Sequence, residues 1–217
     1  PDNLKYSCVR YVPTGVANAM GPSWVDPTTG EILNASVLVY NNVAQMLRNW
    51  RFVQTAQIDP LVRSKELPEA LLNESLTYVI AHEIGHCLGL MHNMAASSAY
   101  PVDSLRSATF TQKYGTTPSI MDYARFNYVA QPGDGITALS PHIGPYDIFA
   151  IEYGYRWYGK ENPEEEKDLL YDFLSRHTDR LYKYSEAQDV RDAVDPRAQN
   201  EDLGDDAVRS SQYGIAN

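Results

Sequence analysis

Cysteine is nearly absent. Only Cys8 and Cys87 occur among 217 residues, so a disulfide scaffold is excluded. Histidine is scarce as well, with 5 copies. No apolar run approaches the ~20 residues that a membrane-spanning helix needs. Basic charge is in deficit: 18 Lys and Arg stand against 28 Asp and Glu, a formal net charge of −10. Such a chain is a poor nucleic-acid binder, because phosphate contacts are made by clustered Lys and Arg. A secretory-signal pattern is missing at Pro1 onward, and the abrupt start predicts a piece of a larger parent protein, the rest of which would pack on it. At 43% hydrophobic residues the chain can still bury a sizeable core, as one large domain or one domain with an appendage.

Three of the five histidines fall within eleven positions, in AHEIGHCLGLMHN at residues 81–93. On a helix His82 and His86 lie about 40° apart and one turn along, so both imidazoles can reach one metal ion. Glu83 is about 100° further round, close enough to a metal-bound water and too far round to replace a histidine. Gly89 can take the left-handed conformation that ends a helix, which lets the chain turn and return His92 as a third ligand. Three protein ligands with an open fourth position is the layout of catalytic zinc, and neutral imidazoles suit that ion. A bare H-E-x-x-H is common by chance. The added glycine and third histidine make one catalytic Zn²⁺ on His82, His86 and His92, with Glu83 as general base, the better reading. The bland alternative, core-facing histidines at a helix end, leaves several buried polar groups without partners. Cys87 lies on the other side of this helix, near Ile80 and Ile84. A buried free thiol is the favoured reading there and a Cys8–Cys87 bridge the alternative; neither cysteine is needed as a zinc ligand.

The rest of the chain alternates between β-forming and helical stretches. Residues 7–12 and Ile32 to Tyr40 read as strands, with a Gly/Pro-rich loop between them. Asn41 is a candidate cap for a helix reaching about Gln57, with Val43, Met46, Leu47, Trp50 and Val53 at helical spacing. The next helix starts near Pro68, sends Leu72, Leu76, Val79 and Ile80 toward the core, and delivers the zinc face at its end. A polar stretch leads to SIMDY at 119–123. YDIFAIEYGYRWYG at 146–159 reads as a helix closed by glycine. Residues 1–159 carry 13 acidic and 10 basic side chains, whereas 160–217 carry 15 and 8. That shift predicts an acidic C-terminal extension, docked through an apolar stripe of Leu169, Leu170, Phe173 and Leu181.

The zinc motif followed by SIMDY resembles the metzincin clan of zinc endopeptidases. DPTTGEILNASVLVY, the zinc motif, SIMDY and DPRAQNEDLGDD together resemble the Met-zincin domain family, large proteins mostly of Bacteroidetes-type bacteria. The resemblance implies an α+β fold over residues 1–159, with a small mixed sheet, an active-site helix and a methionine turn, and a mainly helical extension over 160–217. It implies that Met121 forms the floor beneath the metal, where the alternative is an ordinary core methionine. Tyr123 would stand beside the zinc, where the alternative is a packing tyrosine. YDIFAIEYGY matches the clan's closing helix. Only about thirty residues precede ILNASVLVY, so the clan's early strands are missing or the helix at 41–57 takes over their packing.

The implied activity is hydrolysis of protein or peptide substrates by an extracellular bacterial metalloprotease, secreted, periplasmic or at the cell surface. The strand segment Asn34, Ala35, Ser36 and Val37 would line the cleft and offer an open edge to an extended substrate, the alternative being an ordinary interior strand. Two other functions stay open: a catalytically silent binding module of the same shape, and a zinc hydrolase of a non-peptide amide. The intact Glu83 favours turnover.

Overall fold

The computed structural model describes residues 3–186 and 195–216. Residues 187–194, inside the expected extension, lie outside the described residues. Four strands form a small mixed sheet: β1 (Cys8–Val12), β2 (Ala19–Met20), β3 (Ser23–Val25) and β4 (Ile32–Tyr40). β4 is the longest and most apolar, and it occupies the centre. β1 pairs with it in parallel, while β2 and β3 pair antiparallel along its other side. Both edges of β4 are therefore taken. The expected open edge at Asn34, Ala35, Ser36 and Val37 is not there: all four residues are buried, and the Asn34 amide donates inward to the carbonyls of Leu4 and Tyr6. β2 and β3 arise inside the stretch read as a loop, where strands of two and three residues are too short to show alternation.

Two helices back the sheet. α1 (Val43–Thr55) follows β4 directly. Its N-cap position is Asn42, not Asn41, whose carboxamide oxygen instead accepts from the Tyr11 hydroxyl. α2 (Glu69–Cys87) starts just after Pro68, which has no N–H to leave unpaired in the first turn. Val43 and Leu47 of α1 meet Tyr78 and Val79 of α2 in a core that also takes in Ile120, Met121 and Phe126. Val79 is buried as expected, while Leu72, Leu76 and Ile80 are only half-buried. Both thiols are free and half-buried, so no bridge joins Cys8 to Cys87. They face an apolar groove of about 1400 Å³ behind α2, which contains none of the three clustered histidines.

Beyond α2 the chain forms two short helices, α3 (Val102–Leu105) and α4 (Ala108–Tyr114), then a long irregular stretch, then α5 (Pro145–Tyr155). α5 stops at Tyr155 and does not run to Gly159, because Arg156 is extended. The amphipathic run after Lys160 is a single short helix, α6 (Lys167–Ser175). Phe173 is its one fully buried residue and stacks on Phe149 of α5, with ring centroids 5.5 Å apart.

Residues on the two sides of position 160 share buried cores. Leu203 is fully buried in a core with Tyr100, Val102, Leu105, Ala124 and Val129. Ala198 is buried against Met94 and Ala95. The last helix, α7 (Ala207–Ala216), is pinned by Arg209 pairing with Asp103. Charge composition marked a change in surface, and these apolar anchors lie beneath it. Among the described residues no helix is long and apolar enough to cross a membrane.

Candidate metal centre

The end of α2 sets the site. Leu88, Gly89 and Leu90 return their N–H groups to Ile84, His86 and Gly85, and Gly89 sits at φ 86°, the glycine-terminated helix end that the spacing predicted. The chain reverses there and brings His92 back to His82 and His86. The three Nε2 atoms stand 3.0, 3.2 and 3.3 Å apart. Tetrahedral ligands at 2.0–2.1 Å from zinc stand about 3.3 Å from one another, so the triangle fits the ion.

Proton placement strengthens the fit. His82 Nδ1 donates to the Ile120 carbonyl at 2.7 Å, and His86 Nδ1 to the Leu90 carbonyl at 2.9 Å. A carbonyl only accepts, so each Nδ1 carries the proton and each Nε2 offers a lone pair. Two lone pairs 3.2 Å apart repel unless a cation lies between them. Burial also drives His82 toward neutrality, pushing its pKa down to about 4, with the neighbouring imidazoles acting the same way and the Ile120 bond opposing. Burial lowers His92 likewise.

Glu83 lies beside this triangle, 8% exposed. Burial raises its pKa to about 7, and a hydrogen bond from the Gly21 N–H partly offsets that rise. The Tyr123 ring stands 4.6 Å from the His92 ring and 5.5 Å from that of His82. Met121 is fully buried under the helix. A Cβ on Gly85 would fall 2.3 Å from the Met121 sulfur, so the glycine inside the H-E-x-x-H motif makes room for the methionine beneath it. His82, Glu83, His86, His92 and Tyr123 all face one cavity of about 530 Å³. Asn34, Ala35, Ser36 and Val37 do not reach it. The cavity wall opposite α2 is the stretch from Asn18 to Pro22, at the outer edge of the sheet.

Three supporting residues were not foreseen. Asp147 accepts from Ser119 Oγ at 2.6 Å and from the N–H groups of Ile120 and Gly144 at 2.8 Å. It thus holds the residue whose carbonyl orients His82. Asn93, next to His92 and fully buried, donates to the Lys183 carbonyl and accepts from the Ser185 N–H. Arg125 lines the cavity and pairs with Glu201. The YDIFA and MHN motifs contain Asp147 and Asn93, but nothing in the spacing reveals their partners. His177, the extension's histidine, packs among Phe149, Phe173 and Tyr182, outside the cavity.

A family model described as Met-zincin matches residues 64–217, a span that holds every member of the histidine triangle, Glu83, Met121 and Tyr123 and crosses position 160 without a break. No curated protein and no solved structure matches the chain. The chain belongs to the Met-zincin family, which points to a zinc metalloprotease type of domain, and its three histidines stand close enough together to hold a metal ion.

Proposed function

We propose that this member of the Met-zincin family is a zinc-dependent endopeptidase, with Glu83 as its general base. The observation that carries the reading is the convergence of three imidazole Nε2 atoms, with a buried carboxylate beside them. A zinc ion bound by His82, His86 and His92 would supply Lewis-acid chemistry, lowering the pKa of water and polarising a carbonyl. A carboxylate oxygen of Glu83 takes the proton of the attacking water and returns it to the nitrogen of the leaving amine. Tyr123 donates its hydroxyl hydrogen to the oxygen on which negative charge develops. An extended substrate runs along residues 18–22, pairing with the sheet's outer edge, in place of the interior strand segment at 34–37.

A cleavage profile against a peptide library, with non-peptide amides included, tests this. Glu83→Gln is expected to lower kcat by about 10²–10⁴-fold while retaining about one equivalent of zinc. His86→Ala is expected to lose the metal. Retention of more than about a tenth of the turnover by Glu83→Gln would remove it as the base. Cleavage confined to non-peptide amides would overturn the substrate class.

A further inference from the structure

Among the described residues only two that are not glycine have a positive φ: Arg125 at 60° and Glu201 at 67°. They are 76 positions apart, yet Arg125 Nη2 donates to Glu201 Oε1 at 2.6 Å. Left-handed backbone crowds a Cβ, and it persists where the surroundings impose it, often at functional sites. One of this pair stands in the metal cleft. Arg125 lines the cavity that holds the histidines and Glu83. Its guanidinium lies over the Trp50 ring, 4.0 Å from the centroid, and over the Tyr123 ring at 4.8 Å. The side chain belongs to a residue only 9% exposed, and its Nε has no hydrogen-bond partner. Tyr123 is also flanked by the His92 ring and packs against the buried cluster of Met94, Ala95 and Ala198.

We propose that Arg125 is a positioning residue for Tyr123: held by Glu201 and Trp50, its guanidinium presses the Tyr123 ring into its place beside His92. The inference rests on the peptidase reading for what Tyr123 then does. Arginine suits the task because a planar fork stacks on rings with its faces while pairing a carboxylate in its plane, whereas a lysine ammonium is a point charge with no plane to fix both contacts at once. Glu201 and Ala198 make the C-terminal stretch a working part of the cleft, since they brace Tyr123 through Arg125 and directly.

A double-mutant cycle with Tyr123→Phe tests the proposal. Tyr123→Phe should lower kcat about a hundredfold. Arg125→Lys should lower it about tenfold, with KM changed less than about twofold and zinc content unchanged. In the Tyr123→Phe background Arg125→Lys should cost less than about a further twofold, because the group it positions is gone. An equal tenfold loss in both backgrounds would show a general structural role and overturn the proposal. The four zinc-loaded proteins are also titrated with a peptide hydroxamate, and its affinity should show the same coupling. That arm reads the cleft with or without turnover: coupled binding in a protein that cleaves no peptide would sink the peptidase reading and keep the positioning role, and additive binding would sink the latter. Should Arg125→Lys fail to fold, Glu201→Gln takes its place in both arms, with an expected loss of about threefold coupled to Tyr123 in the same way.

Discussion

Residues 82–92 on one hand, and residues 183–186 and 195–205 on the other, meet at the same wall of the molecule and contribute in opposite ways. The first stretch is contiguous. One helical turn and one glycine reversal bring its three histidines together, and the Ile120 carbonyl orients the first of them. The second is scattered. It reaches the site through single contacts: the Lys183 carbonyl and Ser185 N–H on Asn93, Ala198 beside Tyr123, and Glu201 on Arg125. Chemistry in this protein is encoded locally, while its support is assembled from across the fold.

That contrast can be broken most forcefully at Leu203. If residues beyond 160 were anchored only through the stripe around Phe173, truncating this side chain would cost little. Because Leu203 is fully buried against Val102, Leu105 and Val129, Leu203→Ala should cost about 2–5 kcal/mol in denaturant unfolding. A loss below about 0.5 kcal/mol would support that view.

Asn93→Ala sharpens the contrast at the point of contact. It strips two partners from the backbone of residues 183 and 185, for about 1–3 kcal/mol. It should also weaken zinc binding about tenfold, because the neighbouring His92 loses its anchor. Loss of stability with unchanged zinc affinity, in a competition titration with a chelator, would confine the role of the downstream stretch to folding.

The last test concerns the local half alone. Folded Glu83 keeps its proton up to about pH 7, against an ordinary value of 4.5. Between these values the unfolded chain binds fewer protons at this group than the folded one, so its contribution to stability falls as pH rises. His82 acts in the opposite sense between about 4 and 6.5, and it is common to wild type and variant. In metal-free protein the melting temperature of Glu83→Gln should therefore gain on wild type from pH 4.5 to about 7 and then level off. A difference independent of pH would mean that the carboxylate is not buried against its charge.

The same contrast explains what was legible beforehand. His82, Glu83, His86, Gly89 and His92 were readable because helical period and a glycine stop are local rules. β1, β4, α1 and α2 were readable from apolar runs of sufficient length. The pairing partners of β4 were not, since β2 and β3 have five residues between them and owe their conformation to β4. Asn93, Arg125 and Asp147 were silent for a related reason: an isolated polar residue has no period, and its meaning lies in a partner at least 27 positions away. The net charge of residues 160–217 reports only the solvated face; the stripe around Phe173 was legible, whereas the anchors Ala198 and Leu203 carry no period that reveals them.

The tight seat of Met121 beneath Gly85 has an evolutionary corollary. Positions 85 and 121 share one space, so they cannot drift independently. A lineage that gained a side chain at 85 would have to shrink residue 121 at nearly the same time, and the intermediate with both groups present would misplace the turn between His82 and His86. The two sites are coupled, so a larger residue at either is expected only together with a smaller one at the other.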